Sequence, residues 1–171
     1  NTIFDHPIDP KFQLKILKFL DFLISSASLS SEYEIIFRDD ILNKLILYQF
    51  DYSSEDILRS YFTVLKGISL KTKEIDPQHL LIESSSQIDE CPLFIQAFQY
   101  VNHSDSIVVA AARHIVLNLC LIKYPPFQAY LGSSTMFNSI NTLIKNVSQD
   151  GFPFFADFLN VCPLNIREYF I

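Results

Sequence analysis

Three apolar helical segments, residues 11–26, 54–71 and 105–122, recur along this 171-residue chain, and their spacing restricts the folds open to it. Leu20 to Leu65 spans 45 residues and Leu65 to Val116 spans 51. Each segment carries its apolar side chains at helical spacing, not in the alternation of a strand. In 11–26 the expected core set is Leu14, Leu17, Phe19, Leu20, Phe22, Leu23 and Ile24, with Lys11, Lys15, Lys18 and Asp21 on the other side. In 54–71, Ile57, Leu58, Tyr61, Phe62, Val64, Leu65, Ile68 and Leu70 cover more than half of the circumference, so this helix is expected between two neighbours. In 105–122, capped by Ser104 or Asp105, the run Ala110-Ala111-Ala112 lets another helix approach closely, and Tyr124-Pro125-Pro126 ends it.

Shorter helices are expected between and after these: 32–38, 39–48, 77–84 after Pro77, 92–101, 126–131, 134–147 and 154–160. The polar run Ser84–Glu90 reads as a loop. A long apolar helix followed by shorter ones, repeated irregularly, is close to the roughly 40–47-residue period of armadillo and HEAT repeats. The expected fold class is therefore all-α, an irregular armadillo/HEAT-like α-α superhelix forming a single domain over 1–171. Sixteen Phe and 8 Tyr against only 3 Gly point the same way, because sandwiches need frequent tight turns and layered helices need bulky fillers. The chain begins at Asn1 and ends on the apolar Tyr169-Phe170-Ile171, which reads as a fragment of a longer protein whose next helical layer covers that end.

The chemistry-bearing residues are scattered. A net charge of −6 with no basic block argues against a nucleic-acid partner. Cys91, Cys120 and Cys162 are odd in number and far apart, which suits free thiols in a reducing compartment. His6, His79, His103 and His114 have no ligand partner at zinc spacing, so no metal is expected. Gly67 stands alone inside a helix, where it is expected to admit a bulky neighbour such as an aromatic ring; there is no phosphate loop and no Gly-x-Ser-x-Gly elbow. Asp39-Asp40 reads as a helix-dipole pair. No catalytic residue and no cofactor are expected. Ser106–Ile122 is interrupted by Arg113 and His114 and is shorter than the roughly 20 residues a bilayer span needs, so it reads as a buried helix. Phe152–Phe158 lacks the Lys and Arg of an interfacial helix and reads as core.

Phe50-Asp51-Tyr52-Ser53 precedes the second long helix. Ser53 with Asp56 resembles a capping box, and Tyr52 is placed to pack on Ile57 as a hydrophobic staple, so the stretch reads as a joint between helical layers. The candidate partner-contacting residues are Lys66, Lys71, His103 and Arg113. Arg113 has two readings: a cation held for a partner's carboxylate, or a tie to the carbonyls of the preceding loop, with the second favoured. For Lys66 and Lys71 the competing reading is a solvated edge.

Phe50-Asp51-Tyr52-Ser53, Glu55, Ile57, Tyr61-Phe62, Leu65-Lys66 and Ile68-Ser69-Leu70-Lys71 together resemble the hallmark of the FPL domain family, found near the N-terminus of C-type lectin domain family 16 member A-like proteins. A second block, Ala97-Phe98, Asn102-His103, Ile107-Val108, Arg113 and Leu117-Asn118, resembles the family's later motif. Its His-Pro-Glu reads His103-Ser104-Asp105 here, and its Val-Arg reads Val108-Val109. The likeness is strong over 50–123 and loose elsewhere. It implies a non-catalytic helical scaffold of endolysosomal trafficking and autophagy, including mitophagy, on the cytosolic face of endosomes, lysosomes or Golgi membranes. Implied partners are Rab GTPases, tethering or retromer components and a ubiquitin ligase, with peripheral membrane association through the full-length protein. The alternatives it leaves open are a component of a ubiquitin-ligase assembly and a membrane-peripheral adaptor that activates a Rab GTPase.

Overall fold

Proline and aspartate set most of the helix starts. The computed structural model describes residues 8–27, 41–72, 76–84, 87–133, 136, 140 and 152–162. Helix α1 (Pro10–Ser26) has Pro10 in its first turn and Asp9 as N-cap, accepting from the Lys11 N–H at 2.9 Å. Then come α2 (Ile41–Leu47), α3 (Glu55–Leu70), a 3-10 turn at Pro77–Leu80, strands β1 (Ile82–Ser84) and β2 (Gln87–Glu90), α4 (Pro92–Gln99), α5 (Ser106–Cys120), α6 (Pro125–Leu131) and α7 (Phe152–Val161). Pro92 opens α4 behind Cys91, and Pro125 opens α6. The fold is all-α apart from the small antiparallel ribbon of β1 and β2, which pairs Glu83 with Ile88 and Ser84 with Gln87.

Helix α3 lies between α1 and α5, which are its principal neighbours. It buries Ile57, Leu58, Tyr61, Phe62, Val64, Leu65 and Ile68, as the sequence pattern requires of a doubly covered helix. Leu70 departs from the expected set: at the last turn it stands 53% exposed. On the far side α5 also packs on α4 and α7. Ala111 and Ala112 are buried while Ala110 faces solvent. Phe154, Phe155 and Phe158 of α7 are buried, so the Phe-rich segment is core.

Several local expectations are corrected. Pro77 starts only a 3-10 turn, with Asp76 accepting from the Gln78 N–H, because an extended Leu81 brings both Leu80 and Leu81 into the core. The chain then enters the ribbon, so 77–84 is not a helix and Ser84–Glu90 is not simply a loop. The N-cap of α3 is Ser54, without a side-chain cap bond. Ser53 turns instead to Asp51, its hydroxyl donating at 2.5 Å, so no capping box forms with Asp56. Tyr52 packs on the rings of Phe50 and Tyr61. Phe19 and Phe22 of α1 point outward, at 60% and 65% exposure, because α1 meets the core through Gln13, Leu17 and Ile24. Gly67 does admit a neighbour, but an aliphatic one: a Cβ there would stand 3.2 Å from Ile24 Cγ2. The expected helix 32–38, Asp39-Asp40, most of 134–147, His6 and Tyr169–Ile171 lie outside the described residues.

Candidate functional site

The Phe50–Ser53 stretch joins three helices. Gln13, 5% exposed, donates to the Ile8 carbonyl at 2.8 Å and accepts from the Asp51 N–H at 2.8 Å, tying the start of α1 to the α2–α3 loop. Tyr61 donates its hydroxyl to the Ile46 carbonyl at 2.6 Å, so a residue of α3 takes up a backbone acceptor near the end of α2. Burial drives the phenol of Tyr61 far above its ordinary range, and burial also raises Tyr52. Both are therefore neutral hydrogen-bonding groups, not acid–base candidates.

From this joint a line of ring contacts crosses the layer. Tyr48 meets Phe50 at 4.7 Å, Phe50 meets Tyr61 at 5.4 Å and Tyr61 meets Phe62 at 5.6 Å. Phe62 then meets Tyr100 at 4.8 Å, and Tyr100 meets His103 at 5.3 Å. Offset aromatic pairs of this kind resist sliding of one helix past another.

The line ends at a cleft of about 420 Å³ between the N-termini of α3 and α5. Tyr52, Leu58, Arg59, His103, Asp105 and Ile107 are among the residues that line it. Arg59, one turn into α3, reaches across to Asp105: Nε to Oδ2 is 2.7 Å. A second guanidinium nitrogen pairs with Glu55 at 3.0 Å. The other Asp105 oxygen accepts from the N–H groups of Ile107 at 2.8 Å and Val108 at 3.3 Å, so one carboxylate caps α5 and ties it to α3. Partial burial by itself would raise the Asp105 carboxyl, but the Arg59 guanidinium and the two backbone N–H groups outweigh it and hold the group below the usual range. His103 Nδ1 accepts from the Asp105 N–H at 3.1 Å. Ile107 provides an apolar shelf, 56% exposed. Chemically, this is a charge-assisted tie beside a small open surface.

Of the four residues singled out from sequence, only His103 lines this cleft. Lys66 and Lys71 lie towards the opposite end of α3, both half-buried. Arg113 lies on α5 with its Nε donating to the Val101 carbonyl at 2.9 Å and its guanidinium 5.4 Å from the Phe154 ring centre, the tie to the preceding loop that the sequence reading favoured. The structure therefore does not gather the four into one surface. Sequence reasoning missed Arg59 and Glu55 as cleft residues. Asp105 carried a signal, since an acid at a helix start is a cap, but its second bond spans 46 residues and has no local pattern.

The FPL family model, described as an uncharacterised conserved protein, matches residues 2–120. The chain belongs to the FPL family. Among curated proteins, it is similar to the CLEC16A homolog of Drosophila melanogaster, 23% identical over 131 residues that make up 77% of this chain and 12% of that protein. Protein TRANSPARENT TESTA 9 of Arabidopsis thaliana is 24% identical over 62% of this chain and 13% of its own length. Human CLEC16A is 27% identical over 62% of this chain and 10% of its own. The matched region thus spans about a tenth of these relatives. No solved structure matches the chain. In FPL terms, the first motif block is the joint that centres on Tyr61 and the second is the Asp105 cap with its helix. Among the described residues, no helix is long and apolar enough to cross a membrane, and no group of three or more His, Cys, Asp or Glu is placed to hold a metal ion.

Proposed function

We propose that this FPL domain is a non-catalytic helical scaffold, its layers continuing an armadillo-like superhelix, which positions partner proteins in endolysosomal trafficking and autophagy. The carrying observation is family membership over residues 2–120, with CLEC16A proteins among the relatives. The fold supports the reading in a second way. Its buried polar chemistry serves helix ends and interlayer ties, as in Tyr61 to Ile46, Gln13 to Asp51 and Arg113 to Val101. Such ties stiffen a stack of helices and leave outward surfaces for docking. Rab GTPases, tethering or retromer components and a ubiquitin ligase are the proposed partner classes, and the cytosolic face of endosomes, lysosomes or Golgi is the proposed location.

Proximity labelling with the full-length protein tests this. Endolysosomal and tethering proteins should dominate the labelled set and should fall away when Lys66 and Lys71 are reversed in charge or His103 is changed to Ala. A set without membrane-trafficking proteins would refute the scaffold reading. Ubiquitin transfer by the purified chain with a charged conjugating enzyme and no added ligase would replace it with an enzymatic one.

A further inference from the structure

The outward face of α1 has a composition that no other described helix shares. At 100° per residue, Lys11, Phe12, Lys15, Lys18, Phe19 and Phe22 fall within an arc of about 120°, roughly opposite the buried Gln13, Leu17 and Ile24. All six are exposed, with the three phenylalanines at 52%, 60% and 65%. No carboxylate lies in the arc; Asp21 sits to one side, half-buried. A chain with a net charge of −6 thus concentrates three cations and three exposed aromatic rings on one face about 15 Å long from Phe12 to Phe22.

We infer that this α1 face is a docking surface for an anionic phospholipid bilayer. Its composition separates that occupant from another helical layer. Helix α3, covered on both sides, buries Ile, Leu, Tyr, Phe and Val with a single Ser and no charged residue. A protein layer laid on α1 would have to take three ammonium groups out of water without carboxylates on this face to receive them. A bilayer surface makes no such demand. Phenyl rings enter the boundary between headgroups and acyl chains, while lysines lay their methylene stems alongside and keep their ammonium groups among the phosphates. Each lysine near an anionic leaflet adds attraction that falls off within a Debye length. Among the described residues no salt bridge engages Lys11, Lys15 or Lys18.

The inference deepens the scaffold reading by naming a surface that would hold it at a membrane, yet its test needs no partner protein, so either can fail alone. The purified 171-residue chain is sedimented with vesicles of phosphatidylcholine, alone or mixed with phosphatidylserine. Binding to the anionic vesicles should exceed binding to neutral ones by at least about tenfold and weaken as salt is raised. The triple change Lys11→Glu, Lys15→Glu, Lys18→Glu should abolish that excess, and Phe12→Gln, Phe19→Gln, Phe22→Gln should reduce it about tenfold, both with wild-type circular dichroism. A control, Lys44→Glu with Lys123→Glu, removes two exposed cations elsewhere and should bind as wild type. Equal binding to both vesicle types, undiminished binding by the lysine variant, or an equal loss in the control would overturn the proposal. So would capture of poly-glutamate without vesicle binding, which would assign the face to an acidic protein.

Discussion

Tyr61 and Ile46 are joined by a 2.6 Å hydrogen bond from the phenol of α3 to a backbone carbonyl of α2. Tyr61 is fully buried, so this bond has no water to replace it. Tyr61→Phe keeps the ring contacts with Phe50, Tyr52 and Phe62 but leaves the Ile46 acceptor unpaired. It should cost about 1–3 kcal/mol in urea unfolding. Tyr61→Ala, which also opens a cavity at the joint, should cost roughly 3–5 kcal/mol. Equal values for the two variants would mean that the hydroxyl contributes nothing beyond the ring.

Asp105 serves two helices at once, so its loss should exceed that of Arg59. Asp105→Ala removes the α5 cap and the tie to α3; Arg59→Ala removes the tie alone. We expect a fall in Tm of about 3 °C from the lost cap, beyond whatever Arg59→Ala produces. The sign of the pH dependence follows from the depressed carboxyl. Its contribution is present in full above the unfolded value, 3.8, and drains away as pH falls through the lower folded value. The Tm gap between wild type and Asp105→Asn should therefore be constant near neutrality and narrow on acidification below that point. A gap that widens towards acid would show that Asp105 is not held by Arg59 and the cap.

How much of this was legible in the sequence divides along the distance of each interaction. The long helices were readable because their apolar period is local, and α3 lay within one residue of its expected span. A cap at Ser104 or Asp105 and a helix start at 92 were readable for the same reason. What escaped depends on the rest of the chain. Phe19 and Phe22 satisfy a helical pattern as well as Leu17 does, but only packing decides which side of α1 meets α3. The β1–β2 ribbon is short and polar, so period alone could not separate it from a loop. The Arg59–Asp105 pair, the chief element of the cleft, spans 46 residues, and the cap signal at Asp105 says nothing of Arg59.

Gly67 tests how closely α1 and α3 approach. A Cβ at this position would meet Ile24 Cγ2 at 3.2 Å, and Ile24 is itself 1% exposed. Gly67→Ala sets a helix-propensity gain of about 1 kcal/mol against that contact, so it should shift stability by less than about 1 kcal/mol either way. Gly67→Leu has no such balance and should destabilise by roughly 1–3 kcal/mol. Adding Ile24→Ala to Gly67→Leu should cost less than the two single changes taken together, because each relieves the other's misfit. Strict additivity in denaturant unfolding would place the leucine somewhere other than against Ile24.

The cysteines give the last test, one of accessibility against proximity. Cys91, Cys120 and Cys162 are free and buried. Burial pushes the Cys91 thiol up to about 12. Cys120 is raised by its hydrogen bond with Cys162, then by burial and by the neighbouring Cys91, so the three residues that sequence separates are close in the fold. Thiolate is the reactive form, and Cys91 and Cys120 have almost none near neutral pH. Ellman's reagent at pH 8 should therefore label the native chain only as fast as it opens, while all three thiols should react at once in denaturant. Destabilising the α3 joint with Tyr61→Phe should speed native labelling through the larger open population. Rapid labelling of one thiol in the wild type, unaffected by Tyr61→Phe, would show a local opening of α7 or of the α4 start that is independent of global stability.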